Sequence, residues 1–135
     1  MNIDTFWKNV DIRQFDECWN WKRAISDNGY GVVYFNKKNT YAHRVAYADQ
    51  ISPILKGKVV DHLCRNRACC NPSHLEAVSQ QTNILRGKGI AAINSAKTSC
   101  INGHPYNEQN TYIRPDGTGR HCLVCRTNSN NKIKK

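Results

Sequence analysis

The stretch VVDHLCRNRACCNPSHLEAV, residues 59–78, joins an apolar run to side chains that bind metals and transfer protons. The run ends in Asp61 and His62. A carboxylate favours a hard cation such as Mg²⁺, and an imidazole can take a proton from water near neutral pH. Further along, Asn83 offers a neutral oxygen, and Arg86 lies one helical turn later. Together these residues predict a site that holds a divalent ion, activates water and binds a phosphate.

The same stretch also carries three soft metal ligands in the pattern C-x4-C-x4-H, starting at Cys64. A closed structural zinc site has four ligands. Cys70 directly follows Cys69, and neighbouring residues rarely ligate one ion from a tight loop, so we expect Cys70 to be a small buried hydrophobe. The fourth ligand is then Cys18, although its packing in the core beside Trp19 remains an alternative. The predicted zinc ligands are Cys18, Cys64, Cys69 and His74.

A second set of ligands follows the pattern C-x3-H-x17-C-x2-C. Two close pairs separated by a hairpin-length spacer suit the tetrahedral shell of a structural zinc ion. The spacer contains a Pro115-Asp116-Gly117 turn between two short extended segments, 111–114 and 120–122. His121 competes with His104 as a ligand, but its neighbour Cys122 would crowd the same position. The predicted ligands are Cys100, His104, Cys122 and Cys125.

The composition indicates a small basic protein that depends on metals for stability. The chain has 135 residues, of which 39% are hydrophobic, and a core this thin commonly needs metals or disulfides. No apolar run approaches the ~20 residues of a membrane span, and the N-terminus lacks a signal-peptide pattern. We therefore expect an intracellular, cytoplasmic protein with reduced thiols, in agreement with the odd count of seven cysteines. The net charge of +10 favours a nucleic-acid partner.

Residue periodicity predicts an α+β fold that begins with a hairpin and a helix and continues as strand, long loop, strand and helix. The corresponding ranges are 30–35 with a turn at 36–39, a helix from Ala42 that ends before Pro53, 58–63, 64–73, 75–78, and 80–86 capped by Ser79 and stopped at Gly87. Residues 1–86 would form the first domain and 87–98 a linker. Residues 99–127 would form a small zinc-binding hairpin unit, and 128–135 a basic, disordered tail.

The chain resembles the HNH endonucleases, specifically the small phage-type and homing group with the ββα-metal fold. The similar segments span roughly residues 18–126 and are CWNW, GYG, AHRVAYA, VVDHLCRNRACCNPSHLEAVSQQTNILRG and CINGHPYNEQNTY…RHCLVCR. The resemblance implies a ββα-metal core with an N-terminal hairpin and helix. It also implies hydrolysis of phosphodiester bonds in double-stranded DNA and a phage or prophage source.

Individual roles follow from the same resemblance. His62 matches the general base that deprotonates the attacking water, while Asp61 and Asn83 match the protein ligands of a catalytic Mg²⁺ or Mn²⁺. The family's middle asparagine, which supports the loop, is replaced by His74, and we infer that zinc ligation takes over this support. Asn71 could share it but lies three residues early.

Basic side chains near these motifs are candidates for contacting DNA: Arg44, Arg65, Arg67, Arg86 and Arg120, with Arg114 and Arg126 as further options in the second unit. His43 is interpreted as structural, and Trp7, Trp19 and Trp21 as core residues. The predicted cofactors are two structural Zn²⁺ and one catalytic Mg²⁺ or Mn²⁺. A homodimer, a non-catalytic zinc-stabilised DNA-binding protein, and an RNA-directed nuclease or binder stay open as alternatives.

Overall fold

The computed structural model describes the backbone of residues 1–133 and the side chains of residues 1–130; residues 134–135, in the expected tail, lie outside the described residues. The chain divides after Gly87 into two compact units, each formed from helices and two-stranded antiparallel sheets. This is the mixed α and β architecture that the periodicity predicts. No helix within residues 1–133 has the length and apolar character needed to cross a bilayer.

The first unit contains three α-helices, one 3₁₀ helix and three hairpins. In chain order its elements are α1 (Ile3–Lys8), β1 (Val10–Asp11), β2 (Asn20–Trp21), β3 (Val32–Phe35), β4 (Lys38–Tyr41), α2 (Ala42–Gln50), β5 (Lys58–His62), the 3₁₀ helix (Pro72–His74), β6 (Leu75–Ser79) and α3 (Gln80–Arg86). The short α1 and the β1–β2 pair are not predicted from the sequence, because neither is long enough to show a period.

Strands β3 and β4 are joined by a two-residue turn, tighter than the four-residue turn expected at 36–39. Phe35 pairs with Lys38, and the two residues between them, Asn36 and Lys37, both have positive φ of 48° and 63°. Two consecutive left-handed residues match the right-handed twist of the flanking strands. The hairpin leads directly into α2, whose buried face includes Val45 and Ala46.

Strands β5 and β6 with helix α3 form the strand, loop, strand and helix order predicted at residues 58–86. The strands pair in register from Lys58 opposite Ser79 to His62 opposite Leu75. Ser79 then caps α3, since its hydroxyl accepts a hydrogen bond from the Thr82 backbone amide at 3.1 Å. The cap and the strand register together fix which face of α3 lies over the hairpin.

The core of the first unit lies between α1, α2 and the hairpins. Phe6 is fully buried and stacks on Trp21, with ring centroids 5.1 Å apart. Gly31 permits this packing, because an added Cβ would lie 2.8 Å from the Trp21 ring. Trp7 and Trp19 pack against the same cluster, so the three tryptophans belong to the core as expected.

The second unit consists of α4 (Ile90–Ala96), β7 (Thr111–Ile113), β8 (Arg120–Cys122) and α5 (Leu123–Ile133). Strands β7 and β8 form the predicted hairpin around the Pro115-Asp116-Gly117 turn. Helix α4 occupies much of the segment 87–98 that was expected to be a linker. Its sequence, IAAINSA, is rich in small residues and too weakly patterned to predict a helix. Helix α5 likewise covers much of the expected tail.

Candidate active site and metal centres

His62 closes strand β5 with a buried imidazole in a defined tautomer. Its Nε2 lies 3.1 Å from the backbone carbonyl oxygen of Cys69. Since a carbonyl can only accept, Nε2 carries the proton and Nδ1 keeps the lone pair. Burial, which outweighs the opposing effects of the Cys69 carbonyl and of Asp61, lowers the pKa of His62 below 6.5. The ring is therefore held neutral, the form that can accept a proton from water.

An aromatic cluster surrounds this imidazole. The His43 ring meets the His62 ring edge to face at 4.5 Å between centroids, and Tyr30 lies 6.0 Å from His62. Burial, with smaller contributions from His62 and Arg44, lowers the pKa of His43 to about 3. The buried, neutral His43 matches its interpretation as a structural residue.

Asp61 lies beside His62 with its carboxylate buried and flanked by two guanidinium groups. Arg65 Nη1 is 3.1 Å from Oδ1, and Arg86 Nη1 is 3.4 Å from Oδ2. Arg86 also binds Glu76 at 2.6 Å. Glu76 is opposite Asp61 in the hairpin register, so the two acids share one face of the sheet. Sequence reasoning missed Glu76, although this register could have indicated it.

Asn83 stands on α3, three residues before Arg86. Residues three apart lie on one helix face, so the contact between Arg86 and Asp61 places Asn83 on the face of α3 that overlooks β5. Within the described residues, the carboxylate of Asp61 is bonded to Arg65 and Arg86 and not to Asn83. The structure thus places Asn83 on the expected helix face without joining it to Asp61.

The four ligands predicted in the first unit come together as one group, here called the loop cluster: Cys18, Cys64, Cys69 and His74. Their ligand atoms all lie within 4.8 Å of one another. His74 Nδ1 is 3.8 Å from Cys18 Sγ and 3.6 Å from Cys69 Sγ. A tetrahedral zinc ion with ordinary bond lengths requires about 3.6 Å between sulfur and nitrogen ligands and about 3.8 Å between sulfurs. The loop cluster therefore has the dimensions of a Cys₃His zinc site.

Backbone pairing explains how a ligand as distant in sequence as Cys18 reaches this loop. The Trp21 amide donates to the Ala68 carbonyl at 2.9 Å, and the Cys70 amide donates to the Trp19 carbonyl at 2.8 Å. The segment around β2 is thus held against the loop through an isolated antiparallel bridge between Asn20 and Cys69. Cys70 is fully buried in the apolar core, as expected.

Asn71 supports the loop from inside. It is 1% exposed, and its amide donates to the carbonyls of Phe15 at 2.8 Å and Glu17 at 2.7 Å while accepting from the Ser73 amide at 3.0 Å. The hydrogen bonds that support the loop therefore come from Asn71, and the support expected from His74 through zinc ligation stays a prediction. The position of Asn71 three residues early is accommodated by the 3₁₀ turn that it caps.

Cys69 connects the loop cluster to the imidazole of His62. Its Sγ belongs to the cluster, while its carbonyl oxygen fixes the tautomer of His62. The sulfur and the carbonyl oxygen of Cys69 are linked through only a few covalent bonds. Any displacement of the cluster is therefore transmitted to His62.

The second predicted quartet also assembles and is here called the hairpin cluster: Cys100, His104, Cys122 and Cys125. His104 Nδ1 lies 3.5 Å from Cys100 Sγ, 3.6 Å from Cys122 Sγ and 3.3 Å from Cys125 Sγ, and the sulfurs of Cys100 and Cys125 are 3.8 Å apart. These are again the edges of a tetrahedral zinc site. The amide of Asn110 donates to Cys122 Sγ at 3.3 Å, which suits a metal-bound thiolate.

The two histidines of the second unit provide a matched test of this cluster. We expect His104→Asn to lose one equivalent of metal and to lower the melting temperature, because structural metal binding contributes directly to folding. His121→Asn should keep both metal equivalents, since His121 is exposed on the strand face opposite to Cys122. Metal content after denaturation, measured with a chromophoric chelator, checks both. If His121→Asn lost metal and His104→Asn did not, His121 would be the ligand in place of His104.

Among the candidate DNA contacts, Arg120 stays a prediction, and the structure also gives it intramolecular contacts. Its guanidinium donates to the carbonyls of Asn94, Ser95 and Lys97 at the end of α4 and lies 4.1 Å over the Tyr106 ring. These bonds satisfy the last carbonyls of a helix and give Arg120 a structural role.

Apart from Arg114 and Arg126, the remaining candidates lie in the first unit. Arg67 donates to the Asn28 carbonyl at 2.8 Å and lies over the Tyr30 ring, which fixes it beside the aromatic cluster. Arg44 follows the buried His43 on α2 and is half-buried. Arg65 from the loop and Arg86 from α3 flank Asp61, so two positive charges lie beside its carboxylate.

The arrangement of β5, the loop, β6 and α3, with a histidine at the end of the first strand and a metal-ligand loop beside it, defines a ββα-metal core. Residues 40–85 match the family model described as HNH endonuclease. This segment runs from the end of β4 to the last turn of α3 and includes Asp61, His62 and Asn83. Residues 40–85 are therefore similar to the HNH endonuclease family.

Curated relatives of the chain are phage proteins. Protein 2.8 of Escherichia phage T7 is 40% identical over 68 residues, 49% of this chain and 45% of the relative. Protein 7.7 of the same phage is 32% identical over 68 residues, 50% of this chain and 52% of the relative. An uncharacterized gene 5.3 protein of Enterobacteria phage T3 is 36% identical over 50 residues, 37% of this chain and 50% of the relative.

The chain spans about half the length of the curated relatives that it matches. No solved structure matches it.

Proposed function

We propose that the protein is a metal-dependent endonuclease that hydrolyses phosphodiester bonds of double-stranded DNA, with His62 as the general base. The observation that carries this proposal is the hydrogen bond from His62 Nε2 to the Cys69 carbonyl, because it leaves a lone pair on Nδ1 of a neutral imidazole. A base of this kind can take a proton from a water molecule that attacks phosphorus. The match of residues 40–85 to the HNH endonuclease family model supports the same reaction class.

Asp61 and Asn83 would hold the catalytic divalent ion. A carboxylate and an amide oxygen are hard donors and suit Mg²⁺ or Mn²⁺. When bound, such an ion stabilises negative charge on the phosphate and on the leaving oxygen. Asp61 fits the role through its two hard carboxylate oxygens, for which an ion would compete with the guanidinium groups of Arg65 and Arg86. Asn83 fits through its position on the helix face that overlooks β5.

Arg65 and Arg86 would position the substrate. A phosphodiester placed beside Asp61 is repelled by the carboxylate. Two guanidinium groups lie within 3.4 Å of the carboxylate oxygens and offset that repulsion. Glu76 holds Arg86 from the other side at 2.6 Å and so restricts its orientation. His62 then orients and deprotonates water, while the arginines bind the phosphate that it attacks.

The loop cluster and the hairpin cluster would each bind one structural Zn²⁺. The support is the donor set of three thiolates and one imidazole, together with separations that equal the edges of a zinc tetrahedron. Four protein ligands leave no open position for substrate, so these ions would stabilise the fold without taking part in hydrolysis.

Cleavage of supercoiled plasmid and of long genomic DNA tests the proposal. The purified, zinc-loaded protein is incubated with Mg²⁺, with Mn²⁺ or with neither. Open circles or fragments that form only with added metal are expected, and the product form distinguishes nicking from double-strand cutting. A folded, zinc-loaded protein that binds these substrates without cutting them would instead support the non-catalytic DNA-binding alternative.

Asn83→Ala is expected to raise the Mg²⁺ concentration needed for half-maximal cleavage by about tenfold, since one of two protein ligands of the ion is lost. Its matched control is Gln81→Ala on the exposed side of the same helix, which should leave the titration unchanged. The Mg²⁺ titration is measured for both variants beside the unaltered protein. An identical midpoint for Asn83→Ala would remove Asn83 from the metal site.

A further inference from the structure

The exposed side of the β7–β8 hairpin carries a group of aromatic and basic residues that the proposed reaction does not use. We call it the hairpin face, and its members are Tyr112, Arg114, His121 and Arg126. They border an open cavity of about 730 Å³, together with Pro115 and Asp116. None of them is a ligand of the hairpin cluster.

The strand pleat separates the hairpin face from the metal ligands. Tyr112 pairs directly with His121, and their rings stack with centroids 6.3 Å apart. The next residue, Cys122, points to the opposite side and is buried in the hairpin cluster. One side of the hairpin therefore binds metal, and the other presents its side chains to solvent from a backbone that the metal would hold rigid.

Two guanidinium groups on this face are available to an anion. Arg126 Cζ lies 5.1 Å from the centroid of the Tyr112 ring, so the aromatic pair supports the arginine and limits its rotamers. Arg114 Nε is 3.9 Å from Asp116 Oδ1, and both side chains are about half exposed, at 52% and 53%. An ion pair this long and exposed is weak, and it leaves the other Arg114 nitrogens available for a ligand.

The contrast between Arg120 and the two arginines of the hairpin face indicates the function of this face. Arg120 donates to three backbone carbonyls, whereas Arg114 and Arg126 line an open cavity. Planar guanidinium groups bind phosphate through paired hydrogen bonds. The surrounding sequence adds to the attraction, because residues 88–135 contain eight Lys or Arg and only two Asp or Glu.

We infer that the hairpin face binds backbone phosphates of double-stranded DNA through Arg114 and Arg126. This inference rests on the proposed function, since it identifies the ligand as the nuclease's own substrate. The second unit would then supply binding energy at phosphates other than the one that is cut. Removing these arginines should weaken DNA binding and leave the rate constant for cleavage of bound DNA unchanged.

The test measures DNA binding separately from cleavage. Arg114→Gln/Arg126→Gln is introduced into a His62→Ala background, and its affinity for a labelled 30-base-pair duplex is followed by fluorescence anisotropy across a range of salt concentrations. We expect Kd to rise by roughly tenfold and the slope of log Kd against log salt to fall by between about 1 and 2. Arg13→Gln/Arg23→Gln removes the same charge from exposed sites of the first unit and should change Kd by less than about twofold.

Two further measurements exclude misfolding as the cause of weaker binding. The metal content of Arg114→Gln/Arg126→Gln must remain at two equivalents, because Arg126 directly follows the ligand Cys125 and its replacement must leave that site intact. Arg114→Lys/Arg126→Lys, which keeps the charge, should recover most of the salt slope.

The outcomes separate this inference from the proposed function. Arginine-dependent binding by a protein that never cuts DNA would support the inference and contradict the nuclease. Normal cleavage with an affinity and salt slope that do not depend on Arg114 and Arg126 would overturn the inference alone. An equal loss of DNA affinity in the Arg13→Gln/Arg23→Gln control would show that the effect comes from net charge alone. Affinity that depends on Arg114 and Arg126 for duplex RNA but not for duplex DNA would assign the face to a different ligand. Either result overturns the inference.

Discussion

His62→Ala is expected to lower DNA cleavage by about three orders of magnitude, which is the usual contribution of a positioned general base. The loss follows from removing the only group on β5 that the structure holds neutral with a free lone pair beside Asp61. Folding and DNA binding should persist, because the arginines around Asp61 and both metal clusters are unaltered. Single-turnover cleavage in excess protein is the direct measurement, since it excludes product release.

A chemical rescue provides the control for this variant. Imidazole added to His62→Ala can occupy the space left beside Tyr30 and His43 and supply the missing base, so partial recovery is expected. His62→Leu fills the same space with a side chain that cannot accept a proton, and imidazole should not restore it. Full turnover by either variant without imidazole, in metal-loaded protein, would remove His62 as the base.

Much of the first unit could be predicted from sequence because its signals are local. The apolar run that ends at Asp61, the N-cap at Ser79 and the stop at Gly87 indicate β5, the start of α3 and its end. Both metal quartets could be predicted for a related reason: ligand type and spacing are constrained by a tetrahedron whose edges are known. The structure brings the named ligands within 4.8 Å in each case.

The features that sequence reasoning missed depend on backbone atoms or on tertiary approach. The partner of His62 is a carbonyl, and every residue has one, so no residue type could indicate Cys69. The hydrogen bonds from Arg120 to the end of α4 could not be predicted, because an exposed arginine and a helix-capping arginine look alike until α4 is placed beside β8. The supporting role of Asn71 could not be predicted from its sequence position, because a 3₁₀ turn shifts that position in the loop.

Cys69→Ala is expected to have the largest effect on stability of any single substitution in the first unit. It should lose one of two metal equivalents and lower the free energy of unfolding by about 4 kcal/mol or more, since losing a structural metal is among the largest single-site effects. Cleavage should fall with it even at temperatures where the variant remains folded. The reason is that the Cys69 carbonyl, which fixes the tautomer of His62, is held in place by the same residue's sulfur.

Cys70→Ala is the matched control, because it makes the same change at the neighbouring residue with the same complete burial. Burial raises the pKa of the Cys70 thiol to about 12, and the side chain packs among Phe6, Trp21 and Val60 as a small hydrophobe. Its loss should cost about 1 kcal/mol and leave both metal equivalents and cleavage in place. Metal content, thermal unfolding and single-turnover cleavage are compared for the two variants. If both behave alike, the loop cluster does not bind a structural metal through Cys69, and the support of His62 must come from the apolar core alone.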